Sequence, residues 1–472
     1  MAPAQIAAFS IASFLAGVAA AGGNIPPVFV LAAAALCGSI VLALRRGRLA
    51  AFFIPAACLA GILYYHLYFS VRAARTTIPF DVQTSFAGIV AAEPGHSAKS
   101  EYFPLRLTPP HHGQIRVVVP PGSGFKYGDA LKLQGTMLHP EKERDLPVAI
   151  FPKTELIASG RGSPVRQALL GFKYVLLDVF PRYLPSTEAA FLGGITLGAR
   201  FSFSPEFTTA LAASGTTHLV ALSGYNIAIL VLVIFGGCLR LFGRRAAFYL
   251  TTLSLLVFVA MVGAEPSVVR AAAMGFVVLL ARELGRPYGL PFALLWTAFF
   301  MVLYNPGALF MPGFQLSFMS LLGIVYLSPV ILRWLGAAGH PDVVAVPAFL
   351  GSFRENAALT ISAQLAVAPI ALVNFGGVSL SSFLANALIL PFMPMTMFFG
   401  FALLLCGLIF PPLGILAGMV SHIFLSYEIA VIHFFAVLSL PVTVTLGGFG
   451  IALYYLLLFI LVRRYQLKED EG

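Results

Sequence analysis

Runs of apolar residues long enough to cross a bilayer, about 20 residues each, recur along most of this chain. They fall at 6–21, 27–44, 50–70, 218–239, 246–262, 267–284, 290–303, 315–332, 357–373, 383–408, 415–438 and 448–462. The pattern predicts a polytopic α-helical membrane protein of about 11–12 spans. The count has a range because Pro391 and Pro394 can divide 383–408 into two. Between 71 and 162 the period changes. SFAGIVA, FPLRL, GQIRVVV, DALKLQGTM and PVAIF alternate apolar and polar positions, with Glu93-Pro94-Gly95, Pro109-Pro110, Pro120-Pro121-Gly122 and Gly128-Asp129 between them. These five short runs predict a small inserted β-barrel, OB-like in size.

From 163 to 213 the chain is amphipathic and only moderately apolar, with Arg166, Lys173, Asp178, Arg182, Glu188, Arg200 and Glu206 along it. Helices lying at the membrane interface or on the core are expected there. The organisation read from these shifts is a three-span anchor over 1–70, a β-rich insert over 71–162, interfacial helices over 163–213 and a polytopic core over 214–472.

Composition excludes a soluble globular protein. Of the 472 residues, 59% are apolar and 10% charged, against about 25% charged in soluble domains. The net charge of +10 resides largely at span ends: Arg45, Arg46 and Arg48 after the second run, Arg240, Arg244 and Arg245 after the fourth, Arg282 and Arg286 after the sixth, Arg463 and Arg464 after the last. Positive residues stay inside, so these clusters predict a cytoplasmic N-terminus and an extracytoplasmic insert in a multi-pass membrane protein. Cys37, Cys58, Cys238 and Cys406 lie in or beside apolar runs, so neither a disulfide framework nor a CxxC zinc site is expected. His111-His112 lacks spaced partners for a metal, and no P-loop occurs. No cofactor is expected.

Candidate chemistry concentrates in Ser214–Leu230, SGTTHLVALSGYNIAIL, a polar stretch inside an apolar region. Lipid tolerates no unpaired amides, so breaks at Gly215 and Gly224 must be shielded by protein or face water. In transporters such breaks mark the substrate site. A second cluster is GAEPSVVRA, residues 263–271, where Pro266 suits the first turn of a helix and Arg270 falls one turn inside the span. Arg270 can line a passage, or snorkel and pair with Glu265. A third is PGFQLSF, residues 312–318, where Gln315 and Ser317 can bond between helices.

In this order, SGTTHLVALSGYNIAIL, GAEPSVVRAAAMG, Gly285-Arg286 and NPGALFMPGFQLSF resemble the ComEC family of competence DNA-internalisation channels. APIALVNFGGVSLSSFLANALILP resembles a later core segment of that family, with Asn374, Phe375, Ser379, Asn386 and Pro391 in order. The resemblance implies an inner-membrane channel passing single-stranded DNA to the cytoplasm, served by a separate DNA receptor and a cytoplasmic DNA translocase. The sequence ends soon after Val462 without an HxHxDH signature. The metallo-β-lactamase-like domain of fuller members is therefore not expected, and any nuclease is expected on another chain. Where many members carry a histidine after Ser-Gly, this chain has Asn226, which cannot shuttle protons near neutral pH.

A phosphate-bearing strand needs water, donors and positive potential. The candidate path residues are His218, Ser223, Gly224, Asn226, Arg270, Gln315, Ser317 and Asn386, with helix breaks at Gly215, Gly224 and Pro266. His422, Ser426 and His433 share a helical face near Glu428, where interhelical bonding is the expected role and a proton relay the alternative. Two rivals remain. One is a transporter of another substrate on the same fold. The other is an intramembrane serine hydrolase using Ser223 with His422 or His433, although Ala221 and Tyr225 stand where a nucleophile elbow needs glycines.

Overall fold

The computed structural model describes residues 3–23, 48–96, 99–142, 144–199, 203–220, 222, 224–263, 266–284, 289–335, 353–375, 377–379, 381–439, 441–442 and 447–470. Two helices come first, α1 (Pro3–Gly22) and α2 (Arg48–Ala74). Seven strands follow: β1 (Gln83–Val90), β2 (Gly95–His96), β3 (Glu101–Leu107), β4 (Gln114–Val119), β5 (Ala130–Leu138), β6 (Val148–Ile150) and β7 (Lys153–Ala158). Next are α3 (Pro164–Leu177), α4 (Phe180–Tyr183), α5 (Ser186–Leu197), α6 (Pro205–Ser214), α7 (Thr217–Val220), α8 (Gly224–Phe242), α9 (Arg244–Val262) and α10 (Pro266–Leu284). The remainder is α11 (Leu290–Tyr304), a 3-10 turn at Pro306–Phe310, α12 (Pro312–Trp334), α13 (Phe353–Phe375), β8 (Val378–Ser379), α14 (Ser381–Ile389), α15 (Met393–Ile409), α16 (Pro411–Val437), β9 (Pro441–Val442) and α17 (Gly448–Asp470).

Among the described residues, eight helices are long and apolar enough to cross a membrane, and α14 with α15 forms a ninth that bends by 50°. The bend falls at Pro391, so the run at 383–408 is a broken span or a re-entrant loop. The runs at 267–284 and 290–303 appear as the shorter apolar helices Pro266–Leu280 and Leu290–Tyr304. The predicted span at 27–44 lies outside the described residues. Leu256, Ile423 and Phe459 keep large apolar side chains exposed on these helices, as lipid-facing positions require.

The chain divides into two compact units. The first comprises 1–171 with 292–311. Its barrel closes because β1 pairs with both β3 and β5, giving the ring β1-β3-β4-β6-β5. Only β4 and β6 run parallel among these pairs. Taking the ring strands in chain order, this is first-second-third-fifth-fourth with the third parallel to the fifth, an OB-like topology. Alternate residues point inward: Phe86, Val90, Phe103, Leu105, Ile115, Val117, Leu131 and Leu133 form one buried core. A one-residue slip would turn this whole set outward. Helices α1 and α2 touch through glycines, because a Cβ at Gly61 would collide with the Phe14 carbonyl and one at Gly17 with that of Cys58. Small residues allow such close backbone approach in membranes. Helix α11 belongs to this unit although it lies far along the sequence: Phe299 meets Phe14 edge-on at 5.4 Å, and Arg144 covers the Phe310 ring at 4.4 Å.

The second unit comprises 172–291 with 312–472. In it α8, α9 and α10 pack pairwise, α12 pairs with α13, and α16 packs on α15, α6, α14 and α5. Helix α5 falls within 163–213, where interfacial or core-packed helices are expected. Glu188, Ala189, Phe191 and Leu192 through Leu197 are all buried in it. A helix buried on nearly every side belongs in a core, so of the two placements expected there α5 takes the core.

Candidate functional site

Ser204 starts α6 by accepting the Phe207 amide on its hydroxyl, and Gly215 ends it at φ 70°. That left-handed conformation suits glycine, and space demands it too, since a Cβ at Gly215 would lie 2.5 Å from the Ser382 Cβ. Helix α7 occupies only Thr217–Val220 and α8 begins at Gly224. Ser223 lies outside the described residues. Polar groups at this interruption are answered locally: Ser214 and Thr216 share a hydrogen bond of 2.7 Å, and the Ser267 hydroxyl donates to the Leu222 carbonyl at 3.3 Å. His218, exposed on α7, bonds the Gly215 backbone.

Helix α10 begins at Pro266, which places Arg270 just beyond its first turn. Arg270 is 7% exposed. Gly224 makes room for it, because a Cβ there would lie 2.5 Å from Arg270 Nη2. The guanidinium sits 5.8 Å from the Phe318 ring, itself stacked on Phe314 at 4.2 Å. Its Nε has no hydrogen-bond partner, and no acid lies in ion-pair range among the described residues. Glu265 lies outside them. Each helix N-terminus carries roughly half a positive charge, so the start of α8 adds to the guanidinium instead of offsetting it. Buried positive potential of this kind is stabilised by an anion.

The other candidates group around two centres. Gln315 lies three residues from Phe318 on α12, hence on the same face as the ring under Arg270, and Ser317 is half-buried beside it. Asn226, two residues into α8, donates from Nδ2 to the Ile195 carbonyl of α5 at 3.1 Å. Asn386 belongs with Gly215, one turn beyond Ser382 on α14. It is 3% exposed, and its Oδ1 has no partner among the described residues.

The family model described as "Competence protein" matches residues 195–468, more than half of the chain and nearly all of this site. The chain belongs to that family. ComE operon protein 3 of Bacillus subtilis (strain 168) is 31% identical over 210 residues, 44% of this chain and 25% of the relative. The match therefore spans about a quarter of that relative's length. No solved structure matches.

In this family member a second polar centre lies on α16. Glu188 of α5, 7% exposed, holds His422 Nδ1 at 2.7 Å through Oε2 and accepts from the Ser426 hydroxyl at 3.1 Å through Oε1. On the same helix Glu428 accepts through Oε1 from the Thr396 hydroxyl of α15 at 2.6 Å. The sequence marked His422 and Ser426, but not Glu188 as their partner. An i, i+4 polar pair on an apolar helix was the available signal, since such groups need a partner inside the membrane. The arrangement does not make Ser426 a nucleophile. Its hydroxyl bonds the carboxylate, and His422 Nε2 stands 3.5 Å away, whereas a triad places the serine on the ring nitrogen remote from the acid.

Proposed function

We propose that this competence-family protein is a DNA-uptake channel, and that one strand crosses the inner membrane through its second unit towards the cytoplasm. The observation that carries this reading is Arg270: a buried cation without an acid partner among the described residues, set against the start of α8. A nucleotide strand supplies an anion at every step, and a phosphate accepts several donors at once. Gly224 and Pro266 then serve as helix starts that expose amides, while His218, Ser223, Asn226, Gln315, Ser317 and Asn386 supply hydrogen-bonding groups along the route. The barrel is extracytoplasmic in this reading. A DNA receptor outside and a translocase inside are other chains.

The test is transformation of a strain in which this chain is the sole copy, with membrane abundance measured in parallel. Losing a charged hydrogen-bond partner for phosphate costs about 1.5–3 kcal/mol, or roughly 10- to 100-fold. Arg270→Gln is expected to lower DNA uptake by that factor at unchanged abundance, with Arg270→Lys in between because it keeps charge and loses the planar fork. Equal loss of uptake and abundance would make Arg270 a folding residue and remove the support for a DNA path.

A further inference from the structure

Glu188, His422 and Ser426 form a cluster the anion seat does not use. Its geometry is uneven. The Glu188 side chain is 9% exposed and that of His422 51%, so the ring is the open side of a buried carboxyl. The Ser426 hydroxyl lies 3.1 Å from Glu188 Oε1 and 3.3 Å from His422 Nδ1. A half-open imidazole against a buried carboxyl can take a proton from outside and hand it inward, the Nδ1–Oε2 pair already being at hydrogen-bond distance. Ionisable groups within membrane segments are costly and are kept for such traffic.

The same helix reaches the anion seat. Glu188 lies in the first turn of α5, and Ile195, seven residues on, receives the Asn226 amide of α8. At 1.5 Å per residue the two points are about 10 Å apart on one rigid element. Gly194 holds α5 close to α7, because a Cβ there would lie 2.7 Å from the Val220 carbonyl. A shift of α5 is therefore felt at the helix break and at the start of α8.

We propose that Glu188 and His422, bridged by Ser426, are a proton-exchange site whose state is transmitted by α5 to the Asn226–Gly224–Arg270 seat. A proton arriving on His422 moves from Nδ1 to Glu188 Oε2. The shared hydrogen bond then loses its ion-pair character, and the hold of α16 on α5 weakens. The transmission half of this inference rests on the DNA-path reading; the proton-exchange half does not. Other titratable or charged groups on the elements packed around the pair are Arg182 and Tyr183 on α4, Glu206 on α6, His218 on α7, Cys406 on α15, and Tyr427, Glu428 and His433 on α16. Among the described residues none of them pairs with Glu188 or His422: Arg182 pairs with Asp178 at 3.9 Å, Tyr183 donates to the Gly407 carbonyl, and Glu428 accepts from Thr396.

Difference infrared spectra of the full chain in lipid vesicles, taken between about pH 4 and 8 so as to span the ordinary carboxylate and imidazole ranges, read the carboxyl directly. A protonation band lost in Glu188→Gln and shifted in His422→Asn is expected. A spectrum unchanged by His422→Asn, or without any band that Glu188→Gln removes, overturns proton exchange. Should Glu188→Gln fail to accumulate, the half-exposed His422→Asn decides alone. In a second arm the same preparations bind an oligothymidylate over that pH range. Neither guanidinium nor phosphodiester titrates there, and His218 beside the helix break is unchanged in every variant, so an affinity change of about fivefold or more in the unsubstituted chain that His422→Asn flattens is expected. Binding that is independent of pH overturns the transmission. Absence of binding at every pH overturns the DNA-path reading and the transmission with it, and leaves the infrared arm to decide proton exchange by itself.

Discussion

Gly224 shows how one missing methyl sets a charge. Its helix start would accept alanine, but the added Cβ would lie 2.5 Å from Arg270 Nη2. That atom is the end of a flexible side chain, so the guanidinium yields and the fold does not. Gly224→Ala is expected to keep thermal stability within about 1 kcal/mol while lowering oligonucleotide affinity by roughly tenfold, read by fluorescence anisotropy on the purified chain. Stability and affinity falling together would mean that Gly224 serves packing alone. A carboxyl in the barrel gives the residue-scale pH dependence. Burial pushes Glu101 up, but bonds from the Ser123 hydroxyl and the Gly122 amide, with His96 nearby, outweigh it and leave its pKa below the usual value. A lowered folded value adds stability above the unfolded carboxylate pKa, about 4.3, and that stability is lost as pH falls through the folded value. Protection of the Glu101–Leu107 amides against hydrogen exchange should drop on acidification, and Glu101→Gln should flatten the dependence.

The elements legible in the sequence are those with a burial pattern of their own. The runs at 85–91, 103–107, 113–119, 129–137 and 147–151 correspond to β1, β3, β4, β5 and β6, because one face of each fills the barrel. Strand β7 went unread: Glu155, Leu156 and Ile157 are all exposed, so no alternation marks it. In the sequence, helix α5 stays between interface and core for the opposite reason. Its charged Glu188 suggested an exposed face, but its partner His422 is 234 residues away, and a long-range pair leaves no local period. The site was legible only in part. Polar residues in an apolar run marked Arg270 and Asn226, whereas Phe318 under the guanidinium and the Ile195 carbonyl depend on tertiary packing. Helix α11 joins α1 and α2 for the same kind of reason, through contacts such as Phe299 on Phe14. The α1–α2 contact is testable at this scale. A leucine at Gly61 meets backbone at Phe14 that cannot yield, so overpacking of about 1–3 kcal/mol is expected, seen as a lower unfolding midpoint of the purified chain in detergent.

At the scale of the whole chain, the side of the membrane on which the barrel lies follows from counting crossings. With a cytoplasmic N-terminus, spans at 6–21, 27–44 and 50–70 put residue 71 outside, and the next crossing brings Arg240, Arg244 and Arg245 back inside. Only the first and third of these have described counterparts, Gln5–Gly22 and Phe52–Ala74, so the parity hangs on 27–44. If that stretch did not cross, the barrel would share the side of the N-terminus, and the arginines between α8 and α9 would move outside, against the charge rule. Thiol labelling separates the two arrangements. In a chain freed of Cys37, Cys58, Cys238 and Cys406, a cysteine at Lys132, exposed on β5, reports the side of the barrel, and one at Arg245, exposed on α9, the side of that arginine cluster. Lys132→Cys is expected to react with a membrane-impermeant maleimide in intact cells, and Arg245→Cys only after permeabilisation. The reverse pattern would make 27–44 a non-crossing segment and place the barrel in the cytoplasm, where it could meet DNA only after passage.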